Sequence, residues 1–136
     1  MSIMQTQAQI LTSHGYTDLS VEYPELEIPV LAGPQRQGDV LIVPAAPRDG
    51  GVPIGKGVEV VRSEAGSNTH CLHGDGAWLP NPAAATDLVQ GHLSVPEGGE
   101  CYLIHSEEHG AMGIAPGSYN LLRQREFAGE WRRVAD

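Results

Sequence analysis

The chain has 136 residues and a formal net charge of −9, with 17 glycines and 10 prolines against one Phe, four Tyr and two Trp. That length suits one domain with one core, and such acidity repels phosphate backbones, so no nucleic-acid partner is expected. Gly and Pro at this density cut a chain into short pieces and favour strands and turns over long helices.

The first dozen residues place Ile3, Met4, Ile10 and Leu11 at spacings that fit one helical face, or an N-terminal arm. Leu19 to Val30 reads as extended but is broken by Pro24 and Pro29, the pattern of an edge strand or a wrapped arm. Val40-Leu41-Ile42-Val43 is a short apolar run fit for a buried strand, and Pro44 to Gly57 reads as a loop. Val58 to Arg62 resumes a strand. Thr69 to His73 and Ala77 to Leu79 read as the two arms of a hairpin over Gly74-Asp75-Gly76. Pro80 to Ala85 is a second loop. Leu88 to Val95 and Cys101 to Glu107 are two β-rich runs joined by Pro96-Glu97-Gly98-Gly99-Glu100, which predicts another hairpin. Ser118 to Phe127 and Trp131 to Val134 then close the chain as a hairpin over Ala128-Gly129.

Seven to nine short strands without a long helix predict an all-β fold, a small single-domain barrel or sandwich, with a cupin-like barrel among the options. Residues 1–18 form an N-terminal arm or short helix and residues 19–136 the β domain. Leu41, Val43, Val60, Leu93, Leu103 and Leu121 are expected inside. The opening MSIMQTQAQI has neither a basic leader region nor an apolar run, and no stretch approaches the ~20 apolar residues of a membrane span. A cytoplasmic protein without membrane contact is therefore expected, with Cys71 and Cys101 reduced.

Five of the six histidines lie between positions 70 and 109: His70, His73, His92, His105 and His109, with Glu107 and Glu108 beside the last two. Imidazole and carboxylate are the ligand types of a divalent transition metal such as Zn, Mn, Fe or Ni. His70 and His73, three apart, point to opposite sides of a straight strand, and His105 and His109 would lie roughly 13 Å apart along one. In the hairpin over Pro96 to Glu100, a register pairing Val95 with Tyr102 sets His92 across from His105, with Cβ atoms roughly 5 Å apart. A slip by one residue turns them to opposite faces. The alternative is a set of unconnected surface and loop histidines. Catalytic templates are missing: His105-Ser-Glu-Glu-His109 carries Ser106 where a zincin motif has its general base, and the nucleophile elbow, P-loop and dinucleotide fingerprint are absent.

His105-Ser-Glu-Glu-His109, Ala115-Pro116-Gly117-Ser118-Tyr119 and Arg123-Gln124-Arg125-Glu126-Phe127 together resemble the ending of a family of short uncharacterised bacterial and phage proteins. Those proteins end in a His-x-Glu-His-like segment, a Pro-x-Gly-x-Tyr turn and an Arg-Gln-Arg-Glu-aromatic strand. Many also carry an upstream Gly-His-x-His segment, whose place here reads Gly66-Ser67-Asn68-Thr69-His70-Cys71-Leu72-His73. The resemblance covers the last third of the chain and implies no activity. A weaker likeness is to cupins, whose His-x-His and Pro-x-Gly patterns are both broken here.

Two functions remain open. The first is a non-catalytic module that binds copies of itself or another protein. Its interface would be the closing hairpin with Arg123, Arg125, Phe127, Trp131 and Arg132, because the first 118 residues carry 4 basic and 14 acidic side chains and Arg and Trp are enriched at interfaces. The simplest two-residue turn would set Arg125 across from Arg132. The second is a metal-binding protein, enzymatic or not, that uses His70, His73, His92, His105, Glu107 and His109.

Overall fold

Thr6 opens the one helix of the described residues, α1 (Gln7–Ser13), with a capping box: its hydroxyl accepts from the Gln9 amide and the Gln9 side chain accepts from the Thr6 amide. The computed structural model describes residues 4–16, 23–62, 69–105, 110–123, 125–127 and 131–133. Ile10 and Leu11 are wholly buried, whereas Met4 is half exposed, so the apolar stripe of the helix is narrower than the sequence spacing implied. No helix here is long and apolar enough to cross a membrane.

In chain order the strands are β1 (Val30–Leu31), β2 (Gln35–Gln37), β3 (Val40–Pro44), β4 (Val52–Arg62), β5 (Thr69–Pro80), β6 (Val89–Val95), β7 (Cys101–His105), β8 (Gly110–Ile114), β9 (Gly117–Arg123), β10 (Arg125–Phe127) and β11 (Trp131–Arg133). The first nine form one sheet in the spatial order β1-β8-β7-β5-β6-β9-β3-β2, with β4 paired to β5. The sheet curls into a half-barrel, which bears out the all-β expectation. As the two prolines implied, β1 is an edge strand; it runs parallel to β8.

β5 organises the sheet. Its residues 71–74 pair with β7 and its residues 77–80 with β6, while β4 runs along the whole of it. Since a strand has two edges, β6 and β7 must lie end to end on the edge opposite β4. Pro96 to Glu100 is therefore an excursion between two collinear strands, and the expected hairpin of β6 with β7 is absent. Gly74-Asp75-Gly76 is no turn either: β5 passes straight through it. Gly74 (φ +110) and Gly76 (φ +126) bend the strand where β6 hands over to β7. A Cβ at Gly74 would strike the Glu100 carbonyl and one at Gly76 the Ser94 carbonyl, so both positions need glycine for clearance as well as for φ. β4 likewise begins six residues earlier than expected. Val52 to Gly57, read as loop, pair with β5 through a ladder with three register shifts, the bulged pairing that Pro and Gly permit.

Strand alternation gives the half-barrel two distinct faces. The inner face holds Val40, Ile42, Leu72, Trp78, Leu93, Cys101, Leu103, Ile114, Tyr119 and Leu121 in one core. The outer face of β7 and β8 turns Tyr102, Ile104 and Ala111 toward Ile10, Leu11 and Ile28, a second core beneath α1. Val60, Leu93, Leu103 and Leu121 are inside as expected. Leu41 and Val43 are not: β3 is offset by one residue, and Val40 and Ile42 point inward. In an apolar run of four, both parities look alike, and only the ladder to β9 decides between them.

The chain's last expected strand is divided. β9 stops at Arg123, and β10 pairs only with β11, forming a separate two-stranded sheet. Its register is Arg125↔Arg133, Glu126↔Arg132 and Phe127↔Trp131. Three residues therefore separate the strands, and Arg125 faces Arg133 where Arg132 was expected.

Candidate functional site

The histidines separate according to face. His105, on β7, has the parity of Cys101 and Leu103, and His70, on β5, that of Leu72; both are inner-face residues with no exposed surface. The ladder pairing Cys71 with Ile104 carries on to set His70 directly across from His105. Their rings stack, with centroids 4.3 Å apart and planes 12° from parallel. His105 thus has a cross-strand histidine partner, but it is His70. His92 lies on the outer face of β6, opposite Leu79 and Asn120.

Around the stacked pair the half-barrel gathers polar side chains from β2, from β9 and from the turn between β2 and β3. Gln37, on β2, donates from Nε2 to the carbonyls of Leu103 (3.0 Å) and Gly110 (3.3 Å), which fixes the orientation of its amide. Its Oε1 then faces His70 Nδ1 at 2.9 Å, so Nδ1 carries the proton of that bond. Asp39, in the turn between β2 and β3, accepts from Arg123 Nε at 3.1 Å and lies 3.7 Å from His70 Nε2. Gln37, Asp39, His70, His105 and Arg123 are all buried. Together they tie β2 and β3, at one end of the sheet path, to β7 and β8 toward the other. Gln35 adds a further stitch from its side chain to the Gly113 carbonyl. Side-chain amides here do for the gap what ladder bonds do elsewhere.

Arg123 therefore belongs to this interior network and not to an exposed interface. The alternation of Tyr119, Leu121 and Arg123 along β9, two of them core residues, already held that signal. Gln37, Asp39 and Asn120 were missed, because nothing in a single sequence ties a turn aspartate to a strand 84 positions on.

The stacked geometry bears on metal chemistry. An imidazole offers its lone pair in the ring plane, so two nearly parallel rings cannot both point at one ion at ~2.0–2.1 Å. Among the described residues no group of three His, Cys, Asp or Glu side chains is disposed to hold an ion. Glu107, Glu108 and His109 lie outside the described residues.

His73 faces the helix side. Its Nε2 is 2.9 Å from the Tyr16 hydroxyl, and its ring lies 5.2 Å from that of His14. Burial pushes the Tyr16 hydroxyl up to about 12, with Cys71 contributing, and it lowers His14 against a smaller opposing pull from Glu100. The two cysteines lie on different faces: Cys71 is half-buried outside, and Cys101 is buried inside, where desolvation raises its thiol to about 12.

His92 is 2% exposed. Its Nδ1 meets Asn120 Oδ1 at 3.1 Å, and its Nε2 is buried without a hydrogen-bond partner among the described residues. Leu79 and Asn120, its neighbours on either side, line an open groove of about 450 Å³ whose other walls include Arg48, Asp87 and Val89.

A family model described as "Domain of unknown function (DUF8820)" matches residues 36–124, and the chain belongs to that family. The matched span holds every residue of the interior network and of the groove. No curated protein and no solved structure matches the chain.

Proposed function

We propose that this member of the DUF8820 family is a non-catalytic β module that assembles with copies of itself through its terminal hairpin. The observation that carries this reading is that β10 and β11 form a sheet of their own, outside the nine-stranded one. A two-stranded ribbon is at best marginally stable in water and gains order by covering an apolar face. The register pairs Arg125 with Arg133, Glu126 with Arg132 and Phe127 with Trp131. Arg125 directly opposite Arg133 is unfavourable unless an acidic surface meets them. The first 118 residues supply one, with a net of −10.

Sedimentation of the purified chain at tens of micromolar in low salt tests the proposal. A dimer or larger species is expected, dissociating with added salt and in the Arg125→Glu/Arg133→Glu and Trp131→Ala variants. A monomer under those conditions overturns it. Metal binding, the other function the sequence left open, draws no support from the stacked His70 and His105.

A further inference from the structure

Exposed apolar surface in this molecule is concentrated near its N-terminus. Four of the six large apolar side chains exposed among the described residues, Met4, Tyr23, Leu26 and Leu31, belong to two short stretches, 4–6 and 23–31, joined by the Thr6–Glu27 bridge. The Ile28 amide donates to the Gln5 carbonyl at 2.9 Å, and Gly113 on β8 pairs with Val30 on one side and Tyr102 on the other. A Cβ at Gly113 would strike the Pro29 carbonyl, so glycine is what lets the 28–31 arm lie close to β8. Met4, Ile28, Pro29 and Val30 thereby come together with Glu100 and Tyr102 around a groove of about 210 Å³.

Size and charge indicate what covers this groove. It is smaller than the roughly 300–1,000 Å³ of small-molecule sites, so it suits one inserted side chain. Apolar side chains clustered around a groove, unlike scattered ones, mark an interaction surface. Glu100 is exposed, and the Tyr102 hydroxyl, 3.5 Å from its Oε2, is too distant to occupy it. Among the described residues no Lys or Arg pairs with Glu100. Glu25 and Glu27 are exposed on the same arm, and no Lys or Arg precedes Arg36 in the chain. The terminal hairpin has the opposite character, with three arginines, Phe127 and Trp131 among the six residues of β10 and β11. The two also belong to opposite ends of the β7–β8 ladder. Arg123, where β9 stops, is held through Asp39 and His70 at the His105–Gly110 end. The groove adjoins the Cys101–Ile114 end, four pairs or roughly 13 Å away. One residue separates Arg123 from β10, about 7 Å of extended chain as far as Arg125. β10 therefore begins well short of its own groove, whereas a neighbour's groove is under no such constraint.

We propose that the terminal hairpin of a second copy docks on this groove, Trp131 entering beside Met4 and Val30 and an arginine meeting Glu100. Reciprocal docking closes a two-fold dimer. The inference rests on the self-assembly reading above and names the surface that receives the hairpin. Sedimentation at tens of micromolar in low salt tests it with two charge reversals, Glu27→Arg/Glu100→Arg on the groove side and Arg125→Glu/Arg133→Glu on the hairpin. Circular dichroism checks that each is folded. Each variant alone should dimerise roughly tenfold more weakly than the wild-type chain, and Glu100→Gln, which removes only a charge, roughly threefold more weakly. Mixed in equal amounts, the two reversed variants should form a heterodimer, because the basic groove of one meets the acidic hairpin of the other and the unchanged halves still match. A wild-type dimer that the hairpin change dissociates and the groove changes leave intact overturns this proposal while self-assembly stands. A wild-type monomer overturns both. A mixture that stays monomeric overturns the proposal as well, since the groove is then covered by something other than a second copy's hairpin.

Discussion

The inner and outer faces of the half-barrel hold the same kinds of side chain, put to different use. Inside, His70 and His105 stack beside an Asp39–Arg123 pair, with Gln37 matching donors to carbonyls across the gap. Outside, His92 and Asn120 make one bond to each other, a buried ring nitrogen is left over, and Asn120 also lines an open groove. A cluster of histidines is therefore no guide to a site by itself. What separates a structural cluster from a receptive one is whether open space adjoins it.

The widest divergence between the faces is expected in thiol chemistry. Cys101 is buried with its thiol pushed up to about 12, and Cys71 is half-buried on the other side. A thiol reagent at pH 8 should modify Cys71 in the native chain and reach Cys101 only on unfolding, so the two rates should differ by several orders of magnitude, as a stability of about 5–15 kcal/mol implies. Mass mapping of the modified chain measures this. Comparable rates would mean that the inner face is not sealed.

Asp39→Ala should cost about 3–5 kcal/mol in denaturant unfolding, because it leaves the Arg123 guanidinium buried without its carboxylate. The double change Asp39→Leu/Arg123→Met should recover most of that loss, which a purely additive pair of sites would not do. On the outer face, His92→Leu should shift stability by less than about 1 kcal/mol, since it removes an unmatched polar atom along with one bond to the half-buried Asn120. A loss comparable to that of Asp39→Ala would erase the distinction between the faces.

The smallest effect concerns His14, on the helix side. Burial lowers its folded-state pKa below the ordinary histidine value of 6.5, so below about pH 6.5 the unfolded chain binds the proton more readily. Stability should fall as pH drops from 6.5 through the folded value, and His14→Asn should flatten that slope by a few tenths of a kcal/mol. Thermal unfolding between pH 5 and 7.5 reads it, and an unchanged slope in the variant would exclude His14 as its source.

Glycine and proline punctuation announced the all-β class and the edge position of β1, but it misjudged what each break does. Gly74-Asp75-Gly76 and Pro96-Glu97-Gly98-Gly99-Glu100 have the composition of turns, yet one is a bend inside a strand and the other a detour between collinear strands. The same residues serve a turn and a bulge because both need φ > 0 or a missing amide. The His70–His105 pairing was hidden for the same reason: once β6 and β7 no longer face each other, the partner of β7 must come from β5. Arg123 was legible from alternation alone. The tie between Asp39 and Arg123, set by how the sheet curls, was not.

The collinear placement of β6 and β7 also bears on how the chain finds this topology. Gly74 and Cys101 are partners with 26 residues between them, a long loop to close from an unfolded chain. Once β6 has zipped onto β5 through the short 81–88 connection, only residues 96–100 separate the anchored end of β6 from the first residue of β7. Closure entropy scales with the logarithm of loop length, so that shortening lowers the cost of docking β7 by about 1.5 kcal/mol. The detour turns a distant pairing into a local one, and β5 with β6 becomes the template along which the other half of the barrel is laid down.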